Sequence, residues 1–144
     1  MPISNYVPDY DGNKRFIISE ENNRKHVGKN LGECRITHYK IDGVIFINET
    51  TCDYILINED KKFAYLIELK GCGIDKAAEQ LEATSDKLSK YLRDYNIRFR
   101  IIASNVPSRK SRTHGVNSSS YKLLSLWGKN NLLVMSTNTL EENI

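Results

Sequence analysis

The chain has little of what marks the more specialised protein classes. Its cysteines are three, Cys34, Cys52 and Cys72; they cannot all pair within the chain and show no C-x-x-C spacing. That argues against a disulfide framework and a structural zinc site and fits reduced thiols in a cytosol. No apolar run approaches the roughly 18 residues of a membrane span. Pro2, Asn5, Pro8, Asp9 and Asp11 stand where a signal peptide needs an apolar stretch, so a soluble, cytoplasmic protein with no membrane partner is expected. Eight glycines and three prolines are too few for a collagen-like or low-complexity chain. Neither sign of charge dominates. The 21 Lys and Arg against 18 Asp and Glu leave a net +3, which is compatible with a polyanionic partner without requiring one.

What is present reads as one ordinary domain. With 144 residues, 40% of them hydrophobic, the chain can bury a single core. Ser19 followed by Glu20 and Glu21 has the look of a helix N-cap and first turn, so a short helix is expected there. Residues 36–47, 52–57 and 62–70 are β-rich blocks separated by polar turns and predict an antiparallel meander. Gly71 and Gly73 break the last strand. Asp75 can cap a helix whose apolar positions Ala77, Ala78, Leu81, Leu88, Tyr91, Leu92 and Tyr95 follow helical spacing. A strand over 97–104, a polar loop, a helix capped by Ser118 or Ser119 and running through Trp127, and a strand over 131–136 complete the order αβββαβαβ. Strand to helix to strand passages of this kind imply an α/β sandwich, a mixed central β-sheet flanked by helices.

Three residues concentrate the chemistry. If the hairpin turns near residues 59–62, positions whose numbers sum to about 121 face one another, which sets Asp53 across from Glu68. Glu68 and Lys70 are two apart in a strand and share a face. Both follow Phe63-Ala64-Tyr65-Leu66-Ile67, an apolar run expected inside the sheet, and charges placed there need a partner. Mg²⁺ would be one, because it takes oxygen ligands and accepts one or two carboxylates together with a phosphate oxygen. Mn²⁺ is expected to substitute. Lys70 would then orient an attacking water or steady the charge that builds on phosphorus.

The array Asp53, fourteen residues, then Glu68-Leu69-Lys70, placed on the second and third strands of a meander and followed by a helix, resembles the PD-(D/E)XK nuclease superfamily. That superfamily includes restriction endonucleases, archaeal-type Holliday junction resolvases and RecB-like exonuclease domains. The resemblance spans about residues 15–136, with residues 1–14 and 137–144 as peripheral tails of a single nuclease-like domain, and it departs from the usual pattern in having Cys52 in place of a proline. It implies a restriction endonuclease-like fold and metal-dependent hydrolysis of phosphodiester bonds, with DNA favoured over RNA. Asp53 and Glu68 would be metal ligands, the carbonyl of Leu69 a further one, and Lys70 the residue that acts on water. Gln80 matches a glutamine that several branches carry near the active site, although a solvated amide at the helix edge is an equal reading. Glu21 or Glu20 matches an acid of the first helix that completes the metal site, with Glu33 behind them; acids in a first turn are also favoured simply by the helix dipole.

Further residues are assigned by context. Asp42 precedes Gly43 and reads as a turn or bulge residue, held as a reserve ligand. His26, Cys34 and His38 can be drawn as a metal cluster, but separated residues of this kind around strands are read as packed or solvated side chains. Arg109, Lys110, Arg112, His114, Asn117 and Lys122 lie in a serine-containing segment without acids, residues 105–122, which reads equally as an arm that tracks a phosphate backbone and as a solvated loop. Arg98 and Arg100 alternate on one strand face and are expected to add to the same positive surface. A homodimer with one site for each strand of a duplex is expected. The rival reading is a catalytically inactive nuclease-fold protein that binds nucleic acid or another protein.

Overall fold

In the computed structural model, residues 3–70, 73–103, 132–135 and 138–144 are described. A 3-10 turn at Ile3–Asn5 precedes four strands, Tyr10–Gly12 (β1), Phe16–Glu21 (β2), Arg24–Lys29 (β3) and Ile36–Lys40 (β4). Strand β2 replaces the helix expected after Ser19. Ile17 and Ser19 are buried while Phe16, Ile18 and Glu20 are exposed, which is the period of a strand. Asn22 and Asn23 both take positive φ, 52° and 61°, and close a two-residue hairpin onto β3; Asn tolerates that left-handed conformation better than most residues.

The expected meander is present as β4, β5 (Tyr54–Asn58) and β6 (Phe63–Lys70), paired antiparallel with Tyr54 opposite Ile67. Its first strand stops at Lys40, short of residue 47. Gly43 at φ 73° donates its N–H to the Phe46 carbonyl, so the Asp42-Gly43 pair forms the turn its sequence suggests. The helix α1 (Ile74–Leu88) follows, then β7 (Asn96–Ala103) and β8 (Leu132–Met135), parallel to β6 and to β7 respectively. Gly73, left-handed at φ 82°, stands at the N-cap in place of Asp75, which lies in the first turn. The helix ends seven residues before Tyr95. Its end coincides with a local competitor, the Ser89 hydroxyl, which donates to the Asp86 carbonyl at 2.9 Å. Tyr91 and Leu92 continue the apolar spacing in turns, and both still pack on the core.

The large sheet has the order β1-β4-β5-β6-β7-β8, and a second sheet has the order β2-β3-β9, with β9 (Thr139–Asn143) parallel to β3. Strands β1 and β9, in the segments expected as peripheral tails, are edge strands of the two sheets. Among the described residues there is one helix, so the architecture is α/β with mixed sheets and mostly strand. The expected helix from Ser118 or Ser119 through Trp127 lies outside the described residues. No helix among them is long and apolar enough to cross a membrane.

The core lies on both faces of the large sheet. On one face Ile55, Ile57, Ala64, Leu66, Phe99 and Ile101 meet Ala77, Ala78, Leu81 and Leu88 of α1. On the other Tyr54, Leu56, Tyr65, Ile67, Leu69 and Ile102 meet Ile17, Leu140 and Ile144 from the second sheet and its end. Strand β6 is central and serves both faces: even-numbered Ala64 and Leu66 look toward α1, odd-numbered Tyr65, Ile67 and Leu69 toward the second sheet.

Candidate active site

The end of β6 next to α1 collects the polar residues. The β5–β6 ladder runs one residue past β5: the Asp53 N–H donates to the Ile67 carbonyl at 3.1 Å, and its carbonyl accepts from the Ile41 N–H at 2.8 Å. With Tyr54 opposite Ile67, Asp53 stands opposite Glu68. Both are buried, 9% and 2% exposed. Asp53 Oδ2 accepts from the Leu69 N–H at 2.8 Å, which fixes that carboxylate, whereas Glu68 Oε1 is buried without a hydrogen-bond partner.

Burial pushes the Glu68 carboxyl well above the usual range, and its hydrogen bond to Asp53 and the Asp53 charge push in the same direction. Lys70 opposes the rise; Asp42, exposed in its turn, adds to it. Lys70 does not close an ion pair with either acid among the described contacts. Its Nζ donates to Gln80 Oε1 at 2.7 Å, and Gln80 Nε2 donates to the Thr51 carbonyl at 3.2 Å. Cys52, between Thr51 and Asp53, is fully buried; desolvation first, then the Glu68 charge, raises its thiol, so it is not a thiolate nucleophile.

The structure thus brings together Asp53, Glu68, Lys70 and Gln80, with the Leu69 backbone between them. Gln80 is a half-buried amide engaged at both its oxygen and its nitrogen. Glu20 and Glu21 are not brought to this place. They lie on a strand, where Glu20 faces outward and Glu21 approaches Lys40 at 3.6 Å. Lys40 pairs with Tyr54 in the ladder, so this contact is on the second-sheet face, opposite the acids. Glu33 is exposed in the turn between β3 and β4, at φ 51°.

Arg100 is a second correction. It is 3% exposed, its Nε and Nη2 donate to the two oxygens of Glu142 at 2.7 and 2.9 Å, and its guanidinium lies 5.3 Å from the Tyr65 ring. It is a buried structural cation and not part of a nucleic-acid surface. Arg98 is half-buried with its guanidinium 4.4 Å from the Phe63 ring. Arg109, Lys110, Arg112, His114, Asn117 and Lys122 lie outside the described residues. His26, Cys34 and His38 do not form a metal site: His26 Nε2 is 2.8 Å from Glu142 Oε2, His38 Nε2 is 2.7 Å from Ser19 Oγ, and the Cys34 N–H donates to Asn30 Oδ1.

Sequence reasoning missed two features. Thr84 and the Thr51 carbonyl support the site from α1 and from the strand entry; only the spacing of Thr84 four residues after Gln80 hinted at this. The Glu142–Arg100 pair joins residues 42 apart, and no local pattern announces it.

The fit to a cation can be judged from the donors. Two carboxylates, one of them carrying an unpartnered buried oxygen, suit a hard divalent ion that keeps water or phosphate oxygen as its remaining ligands. Among the described residues no group of three or more His, Cys, Asp or Glu is gathered as a complete ligand cage. No family model, curated protein or solved structure was found to match this chain.

Proposed function

We propose that the protein is a metal-dependent nuclease of restriction endonuclease-like fold that hydrolyses phosphodiester bonds, in DNA before RNA. The observation that carries the reading is the buried Glu68 oxygen with no partner, beside Asp53 and on the same strand face as Lys70. A buried acid of this kind is costly unless a proton or a cation joins it. In this reading Asp53, Glu68 and the Leu69 carbonyl hold Mg²⁺, which when bound lowers the pKa of a coordinated water and offsets charge on the phosphate.

The chain's own residues do the rest. The Leu69 N–H keeps the Asp53 carboxylate in one orientation. Gln80 holds the Lys70 ammonium at a fixed place, from which it orients the attacking water and stabilises charge that develops on the phosphoryl oxygens. Burial of Asp53 and Glu68 lowers the local dielectric and strengthens those interactions. A homodimer, with one site for each strand of a duplex, belongs to the same reading and is checked by sedimentation.

The experiment is cleavage of labelled linear, circular, single-stranded and four-way-junction DNA with Mg²⁺ or Mn²⁺, comparing wild type with Lys70→Ala. Loss of a charge-stabilising group lowers turnover by about 10²- to 10³-fold, so cleavage by wild type should fall at least that far in the variant and vanish with EDTA. A folded wild type that cleaves none of the four substrates would sink the proposal in favour of a binding module.

A further inference from the structure

The reaction as read above uses Asp53, Glu68, Lys70 and Gln80 and leaves Thr84 without a task. Thr84 lies one turn beyond Gln80 on α1 and is 0% exposed. Its hydroxyl donates to the Gln80 carbonyl at 2.7 Å, the ordinary resting place of a helical threonine. The second contact leaves the helix: the same oxygen accepts the Cys52 N–H at 2.7 Å. With its hydrogen committed to Gln80, the hydroxyl can only accept, and what it accepts is the backbone immediately before Asp53.

We propose that Thr84 is a positioning residue that hangs the Asp53 backbone on the same helical turn that holds Lys70, so that α1 sets the spacing between acid and ammonium. The functional consequence rests on the nuclease reading; the placement does not. Positions 80 and 84 are neighbours on one helix face. From that face Gln80 Oε1 holds Lys70, Gln80 Nε2 holds the Thr51 carbonyl, and Thr84 holds the Cys52 N–H. Thr51 and Cys52 are 1% and 0% exposed, so water does not replace these bonds without opening the structure. Valine would fill the same volume yet leave the Cys52 N–H buried and unpaired. The chain would then have reason to shift at the residue on which Asp53 depends.

The test compares Thr84→Val and Thr84→Ser with Ile57→Val, a core change on β5 away from the site. Two quantities are read. Hydrogen exchange at the Leu69 amide reports where the Asp53 carboxylate is, because Asp53 Oδ2 is its acceptor. In Thr84→Val, exchange at Cys52 and Leu69 should rise about tenfold or more, while Thr84→Ser and Ile57→Val stay near wild type. In the same variant kcat for DNA cleavage should fall about 10- to 100-fold with KM little changed, and Thr84→Ser should restore it. If Thr84→Val does not fold, Thr84→Cys, whose sulfur accepts only weakly, takes its place with the same readouts.

Unchanged Leu69 exchange in the folded variant overturns the proposal, as does Thr84→Ser behaving like valine or Ile57→Val matching it in both readouts. The expected exchange pattern in a protein whose wild type cleaves no DNA would leave the positioning role standing and sink the nuclease reading instead.

Discussion

Glu68 is a buried carboxyl on the α1 face of the large sheet, and Glu142 is a half-buried one between the two sheets. Around Glu142 the chain supplies its own cation. Burial alone would raise that carboxyl, but hydrogen bonds from His26 and Arg100, with the Arg100 charge, outweigh it and bring the pKa down to about 2. Since an ionised carboxylate only accepts, the His26 Nε2 must carry the hydrogen it shares with Glu142. Around Glu68 the nearest cation is turned toward Gln80, and the carboxyl is pushed up instead of down. One acid is neutralised by cations of the fold, and the other keeps a buried oxygen without a hydrogen-bond partner. The difference separates a structural ion pair from a candidate site, which burial and charge alone do not.

The comparison breaks most visibly at its structural half. Arg100→Ala leaves the half-buried Glu142 with His26 as its remaining donor and should cost about 3 kcal/mol, the lower end of what removing one partner of a buried pair does, measured by urea unfolding. A loss below about 1 kcal/mol would mean that Glu142 is solvated and the contrast with Glu68 is false.

Acid should next attack the layer between the sheets. His38, pushed down to about 4 by burial and then by the His26 and Lys14 charges, is neutral in the folded state. Its unfolded form gains a proton near 6.5, so stability falls as pH drops from about 6.5 to about 4, by about 3 kcal/mol for this group. The depressed Glu142 adds a second loss between about 4.5 and 2. His38→Gln should flatten the first arm in a melting series and leave the second.

Glu68 predicts the opposite slope. An acid whose folded pKa is raised favours the fold most below its unfolded value and is lost as pH rises toward the folded one. Without metal, Glu68→Gln should therefore remove a decline that sets in above the ordinary carboxyl value of about 4.5 and continues through neutral pH, so that near neutral pH the variant unfolds at higher urea than wild type. In wild type, Mn²⁺ should raise the melting temperature more as pH increases, because cation and proton compete for the same carboxyl. A Mn²⁺ shift that survives in Glu68→Gln would place the cation elsewhere.

The smallest effect belongs to the acids of β2. Glu21→Gln and Glu20→Gln should leave DNA cleavage within about twofold of wild type, and a larger drop would return one of them to the site.

The site was more legible than the scaffold that surrounds it. Asp53, Glu68 and Lys70 could be placed from a hairpin register and a period of two, since both are local arithmetic; the sum of 121 holds along β5 and β6. Gln80 came from the family resemblance, on a helix whose apolar spacing was local as well. Strand β2 was mistaken for a helix because Ser19-Glu20-Glu21 resembles a cap, while the stronger signal was the Asn22-Asn23 turn joining two six-residue runs. Strand β9 has only Leu140 as a buried apolar residue within it, and Ile144 just beyond, so its place depends on β3, more than a hundred residues earlier. Arg100 looked like a surface cation because its partner Glu142 lies on that unforeseen strand.

Strand β6 has a consequence for how such a gene can vary. Because its alternate residues belong to two different interiors, deleting or inserting one codon between those for Ala64 and Ile67 would exchange the two sets. Glu68 would be driven among Tyr54, Leu56 and Leu140, and Leu69 on deletion, or Ile67 on insertion, would occupy the place of the acid. The three-base step that tunes a loop is closed to this segment, because a single-codon change in length is a change of both layers at once. The reading frame of the strand, counted in pairs, is thus as much a part of the site as the side chains themselves.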